Sequence, residues 1–134
     1  MSTDRAVTVV LDADAAILLG RNDWFERFAK RWRFVAPSLL WSETRSALFR
    51  ESRRQRSAGD VERTAFERIC AAGIVEHSID RATPWDVAEL VGWSKTYDAE
   101  YLALARELDV GLFSLDRQLR RGAQRLGIEL VTPA

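Results

Sequence analysis

The chain has one histidine, His77, and one cysteine, Cys70, among its 134 residues. A structural or catalytic zinc ion takes several nitrogen or sulfur ligands, so His77 lacks the partners for one. A lone cysteine forms no internal disulfide, and a reducing cytoplasm is the expected compartment. No serine stands in a recognisable triad pattern with the histidine, and no glycine-rich phosphate loop occurs. His77 reads as a structural residue in a strand, and Cys70 as a core cysteine at an apolar helix end. No apolar run is long enough to span a bilayer. The first residues, Met1-Ser2-Thr3-Asp4-Arg5, carry mixed charges and lead into a strand-like run, so no secretory signal is expected. Lysine is scarce too: Lys30 and Lys95 are the only lysines among twenty basic residues. Arginine presents a planar fork suited to phosphate, but genomic composition explains such a bias equally well. Net charge is zero, so overall balance gives no warrant for a nucleic-acid partner.

What is present is a foldable chain, 47% hydrophobic and 30% charged. Its length fits one domain, residues 1–134, with a single core. Val7–Leu11 is a β-branched apolar run, suited to a strand buried on both faces of a parallel sheet. A short helix follows from Asp14 to Leu19, stopped at Gly20. Asn22 is placed to cap a second helix, Asp23 to about Arg31. Phe34–Ala36 is a second strand, and Pro37 opens a long helix to about Gln55. A polar turn covers Arg53 to Gly59. Asp60 caps a helix through Ala72, ending at Gly73. Ile74–Ile79 is a third strand. Thr83 caps, and Pro84 begins, a helix to about Ser94. Another runs from near Asp98 to about Leu108. Gly111–Leu115 is a fourth strand, Arg117–Leu126 a basic helix, and Ile128–Val131 a short last strand. Strands alternating with helices predict an α/β fold with a parallel sheet and helices on both faces. No internal repeat, low-complexity segment or linker interrupts it.

Two strands end in aspartate, at Asp12 and Asp116. Either one alone reads most simply as a helix cap. Glu43 lies at helical spacing from Leu39, Leu40 and Ala47, on or beside the apolar stripe. It is either a rim residue paired with an arginine such as Arg50, or an inward carboxylate that needs a cation. Asp98 begins the stripe of Tyr101, Ala105 and Leu108, where it would otherwise complement the helix dipole. Gathered at one sheet edge, four such carboxylates repel one another and take up protons unless a cation intervenes. Oxygen ligands without imidazole or thiolate suit Mg²⁺ or Mn²⁺, and such a site implies phosphoryl chemistry. Spacing alone does not bring the four together.

The motifs that carry these residues resemble those of the PIN-domain family, and in particular its small VapC-type ribonuclease toxins. They are Val9-Val10-Leu11-Asp12-Ala13, Pro37-Ser38-Leu39-Leu40-Trp41-Ser42-Glu43, Tyr97-Asp98-Ala99-Glu100-Tyr101-Leu102-Ala103-Leu104-Ala105 and Phe113-Ser114-Leu115-Asp116-Arg117-Gln118-Leu119. The likeness runs from about Val7 to Pro133, and the third motif is the most specific. The resemblance implies a PIN-like three-layer α/β fold with a central five-stranded parallel sheet flanked by helices. It implies that Asp12, Glu43, Asp98 and Asp116 are catalytic and hold one or two Mg²⁺ or Mn²⁺ ions. The activity it implies is metal-dependent endonucleolytic cleavage of RNA by the toxin of a type II toxin–antitoxin pair. Homodimerisation and inhibition by a small antitoxin protein go with it, with no membrane partner and no organic cofactor.

One position departs from the family pattern. Where a small hydroxyl residue or asparagine is usual, this chain has Asp14, either a fifth carboxylate or a helix cap turned away. Ser114 fits the family's hydroxyl position, from which it would bond a ligand or phosphate. In the implied roles Asp12, Asp98 and Asp116 ligate metal directly, while Glu43 ligates through water or deprotonates the attacking water. Arg50, Arg53, Arg54 and Arg56, with Arg117, Arg120 and Arg121, are candidate phosphate contacts, though each alone is more simply a solvated helix end. Trp41 and Trp93 are candidates for base stacking, with core packing the simpler role. Two other classes compete: a non-catalytic PIN-like module that binds RNA or protein, and an aspartate-dependent phosphatase or receiver domain. The latter two want a lysine near the end of a late strand, where neither Lys30 nor Lys95 falls.

Overall fold

A computed structural model of the chain describes residues 6–54 and 60–132. The expected turn, and Arg56 with it, lies from residue 55 onward outside the described residues. The elements run β1 (Val7–Leu11), α1 (Ala13–Asn22), α2 (Phe25–Phe28), β2 (Trp32–Ala36), α3 (Leu39–Arg54), α4 (Asp60–Ala71), β3 (Val75–Glu76), α5 (Thr83–Val91), α6 (Ala99–Leu108), β4 (Gly111–Phe113) and α7 (Arg117–Arg125). The sheet is parallel with strand order β3-β2-β1-β4. It has four strands, not the expected five. The segment 128–131 contributes a single bridge, Leu112 to Leu130. Two hydrogen bonds hold it, Leu112 N–H to the Glu129 carbonyl at 2.8 Å and Val131 N–H to the Leu112 carbonyl at 3.0 Å. The partner strand is itself only three residues long, which leaves no ladder to extend.

Burial explains the order. Val9, Val10 and Leu11 are fully buried, as a central strand flanked by two others requires. At the edge, β3 is exposed at both residues and far shorter than the expected 74–79. Its neighbour β2 ends at Ala36, because Pro37 has no N–H to continue the ladder. The last bond is His77 N–H to the Ala36 carbonyl, 2.9 Å. The helices sort into two packing groups. One joins α1, α3 and α4; the other joins α5, α6 and α7, with α6 also on β1 and β4. The described residues include no helix long and apolar enough to cross a membrane.

Three helices have boundaries that differ from expectation. Gly20 does not stop α1; it is buried inside it. Asp23 ends that helix in the left-handed region at φ 55°, a conformation that aspartate tolerates better than most residues. Asn22 caps nothing downstream, since its Nδ2 donates back to the Leu18 carbonyl at 2.8 Å. The helix expected over 23–31 shrinks to α2, because Trp32 must already be extended to pair with Val7. Thr83 is helical rather than a cap, and its hydroxyl donates to Glu107 at 3.2 Å. The same helix stops at Gly92, two residues early, with φ 75°. Cys70 is exposed rather than in the core. The buried stripe of α4 is Glu62, Ala65 and Ile69, and the residue after Ile69 is rotated about 100° away from it.

Gly20 is needed for the approach of α1 to α4. A Cβ there would stand 2.8 Å from the Ala65 carbonyl oxygen and 3.0 Å from Ile69. A backbone oxygen has nowhere to swing. Gly20→Ala is therefore expected to destabilise the protein by about 1–2 kcal/mol, overpacking outweighing the gain in helix propensity. Thermal unfolding followed by circular dichroism should show a Tm lowered by several degrees; an unchanged or higher Tm would refute the packing argument.

Candidate functional site

The chain leaves β1 on one side toward β2 and β3, and returns to β4 on the other. In open parallel sheets such a reversal opens a crevice beyond the carboxyl ends of the strands, where ligands bind. Asp12 directly follows β1, and Ser114 directly follows β4. The two meet. Ser114 Oγ donates to Asp12 Oδ2 at 2.5 Å and accepts the Asp116 N–H at 3.1 Å. Asp12 Oδ1 accepts the Ala15 N–H at 2.9 Å, capping α1. Asp116 Oδ1 accepts the Leu119 N–H at 2.9 Å, capping α7. Both aspartates thus do cap helices. Capping does not account for the depth of Asp12, which is only 2% exposed. Burial, aided by the charges of Asp14 and Asp116, pushes its carboxyl from the ordinary 3.8 up to about 7, against the opposing bonds from Ser114 and Ala15.

Helix α3 brings Glu43 to the same edge. Its Oε1 accepts a hydrogen bond from Tyr101 Oη at 2.5 Å, so it is not the partner of Arg50. Tyr101 is 1% exposed. Burial and the neighbouring Glu43 hold its hydroxyl protonated, well above the ordinary tyrosine value. Asp98 precedes α6 in a right-handed helical conformation and makes no capping bond. Asp14 sits in the first turn of α1. Burial raises the carboxyls of Asp14, Glu43, Asp98 and Glu100. Mutual repulsion adds to it. Asp116 acts on Asp14 and Asp98, Asp14 on Glu43 and Asp98, and Asp98 and Glu100 on Glu43. Among the described residues the ion pairs are Arg21–Glu51, Arg63–Glu67 and Arg68–Asp23, so none neutralises this group.

A cleft of about 660 Å³ opens over these side chains. Asp14, Glu43 and Asp98 line it, with Arg50, Lys95 and Tyr97. Asp14 therefore faces the cleft as a fifth carboxylate; the cap is Asp12. Among the described residues no three His, Cys, Asp or Glu side chains stand close enough to enclose a metal ion. The carboxylates are spread along a cleft instead of closed around one point.

Other expectations change. Ser114 is fully buried, and its hydroxyl bonds Asp12 and the Asp116 backbone, which it holds in register. Of the arginines, Arg50 lines the cleft. Arg53, Arg54, Arg117 and Arg121 are exposed and outside its lining. Arg120 donates to the Ser114 carbonyl at 3.1 Å and braces the same turn. Trp41 Nε1 donates to Glu76 at 2.8 Å. Trp93 lines the cleft while its ring packs over Gly122, where a Cβ would come within 3.0 Å of it. Glu100 and Tyr97 were not singled out from the sequence. For Glu100 the available signal was its spacing from Asp98, two residues on at the start of a helix, as Asp14 follows Asp12.

No family model matches the chain, and no curated protein matches it. Among solved structures, the fold is similar to the crystal structure of PAE2754 from Pyrobaculum aerophilum, with a TM-score of 0.73 and 21% identity over 93% of this chain and 84% of that one. At that identity the likeness shows the fold.

The raised carboxyls fix the sign of a pH dependence. A carboxyl whose folded pKa exceeds its unfolded value stabilises the protein when protonated, and that stability is lost as pH rises through the folded value. For Asp12 the window is from about 4 to about 7. The protein without divalent cations is expected to lose stability across it, by on the order of 4 kcal/mol from Asp12 alone. Chemical denaturation at pH 4.5 and 7.5 measures this, and Asp12→Asn should flatten the dependence. Stability that rises over this window would contradict the burial of a repelled carboxylate.

Proposed function

We propose that this chain is a Mg²⁺- or Mn²⁺-dependent endoribonuclease of the PIN type, the toxin of a type II toxin–antitoxin pair. What carries the reading is the gathering of Asp12, Asp14, Glu43, Asp98 and Asp116 at the carboxyl edge of a parallel sheet, without a basic partner among the described residues. The donor set is all oxygen, which suits a hard cation. The spread along a cleft suits Mg²⁺ in particular. That ion is commonly held by one or two carboxylates together with waters and substrate phosphates, not by a closed protein cage.

Asp14 and Asp98, which line the cleft, would hold the cation together with waters and substrate phosphate oxygens, and Ser114 fixes Asp12 and the Asp116 backbone next to them. When bound, Mg²⁺ or Mn²⁺ offsets the phosphodiester charge and acidifies a water for in-line attack. Glu43 is the group to accept a proton from that water. Its carboxyl is raised by burial, which favours proton uptake, and Tyr101 fixes its direction. The water oxygen bonds to phosphorus, one phosphorus–oxygen ester bond breaks, and the leaving oxygen takes up a proton. Arg50 and Lys95 line the same cleft and can meet flanking phosphates. A homodimer, a small antitoxin that covers the cleft, and action in the cytoplasm belong to the same proposal.

The test is cleavage of RNA by the purified chain with Mg²⁺ or Mn²⁺, with and without a chelator. Chelation is expected to stop cleavage. Asp98→Asn should reduce it to background while raising the Tm of the metal-free protein, because it removes one repelled charge. Glu43→Gln is expected to cost about 10²- to 10⁴-fold in rate. Full activity of Asp98→Asn would overturn the proposal. RNA bound but left intact by the unmodified chain would favour the non-catalytic module.

A further inference from the structure

Beside the carboxylates stands an aromatic residue that the chemistry above does not use. Tyr97 lies in the segment 92–98 between α5 and α6, immediately before Asp98, and lines the cleft. It is 64% exposed. The contrast with Tyr101, one helical turn on, is complete. Tyr101 is buried with its hydroxyl committed to Glu43, whereas no hydrogen bond joins the Tyr97 hydroxyl to the described residues. Trp93, in the same segment, is half-buried and packed against the core, its ring over Gly122. Tyr97 belongs neither to that core nor to the half-buried side chains packed against it. A single exposed ring is ordinary on a protein surface; what sets Tyr97 apart is its place in the cleft lining, among the carboxylates and cations, where an aromatic face can take the apolar face of a ligand. The neighbours narrow the ligand. Lys95, two residues earlier, and Arg50, on α3, put cations in the same cleft. A flat apolar ring beside cations, at a site that would hold a phosphate, matches a nucleotide, with base on ring and phosphates on cations.

We infer that Tyr97 is a stacking platform for one unpaired base of a single-stranded RNA, next to the phosphodiester that is cut. This deepens the nuclease reading and rests on it. A base stacks on a side chain only when it is out of a duplex, so the platform selects single strands, loops and bulges over paired RNA. Tyr97 is accordingly a specificity residue and not a catalytic one, since it carries no proton or ligand role. Tyr97 directly precedes Asp98 in the chain, so a base seated on it would lie beside the position at which Asp98 would hold the cation.

The experiment compares the unmodified chain with Tyr97→Ala and Tyr97→Trp on a labelled single-stranded RNA and on the same RNA annealed to its complement. Tyr97→Ala is expected to lower kcat/KM on the single strand roughly tenfold, mainly through KM, and to reduce the preference for single over double strands. Tyr97→Trp should restore both, because it keeps a stacking face without the hydroxyl. The rise in Tm on adding Mn²⁺ should be the same in all three, which separates stacking from metal binding and verifies folding. Unchanged cleavage by Tyr97→Ala, with Asp98→Asn inactive, would overturn the stacking role and leave the nuclease reading standing. Should the unmodified chain cut no RNA, binding of the same single strand decides. Loss of binding in Tyr97→Ala would sustain the platform without the nuclease; no binding by the unmodified chain would overturn it.

Discussion

The hydrogen bond from Ser114 to Asp12 is the constraint on which the site depends. It joins the residue after β1 to the residue after β4, and so fixes the two strand ends against each other. Through its other side Ser114 also holds the Asp116 backbone. The two aspartates, 104 positions apart in the chain, are thereby held in one place by one hydroxyl. The arrangement works against the repulsion of like charges. Asp12 lies where a carboxylate is poorly solvated, and two of its neighbours carry the same charge. A hydroxyl donor partly offsets this, but a hydroxyl carries no net positive charge to cancel it.

The fold therefore stores an electrostatic tension that no described basic residue relieves. Basic groups are near enough: Arg50 and Lys95 line the cleft itself. They form no ion pair with the carboxylates. A structural role for these acids would be better met by arginine partners at hydrogen-bonding distance, with which this chain is well supplied. Acids left repelling each other, with cations set aside, are better suited to a charge that comes from outside. On the proposed reading, a cation and a phosphate together would supply charges of both signs, one for the acids and one for Arg50 and Lys95.

Two supports set how well that cleft is held. On the α3 side, Tyr101 fixes Glu43 with a hydroxyl that stays protonated because it is buried. On the α7 side, Arg120 braces the Ser114 carbonyl. Both supports come from helices, α6 packed on β1 and β4 and α7 packed on α6, and regular elements are where precise placement of functional groups is best achieved. The segment 92–98 is the exception: it is irregular backbone, and it carries the exposed aromatic and lysine.

Much of this was legible in the residues. The β-branched run of Val7–Leu11, the long helix α3, which begins at Leu39 two residues after Pro37, and the apolar character of α6 all follow from local pattern, which acts over one or two turns. The acids at Asp12, Glu43, Asp98 and Asp116 were singled out for the same reason, each by a strand end or a helical stripe. Local pattern failed where a neighbour in space decides. Gly20 looks like a helix stop but is a contact with Ala65. The run 128–131 looks like a strand but meets a partner only three residues long. Ser114 looks like a ligand contact but is spent on Asp12. Asp14 was undecided between cap and cleft until the crevice beyond β1 and β4 existed to receive it. The sequence by itself determined the central strand, the longer helices and which residues are acidic at their ends, because those depend on local backbone geometry and side-chain type. Only the tertiary structure decided which acids meet, how deeply each is buried and which aromatic faces them, because burial and repulsion act between residues that the chain keeps far apart.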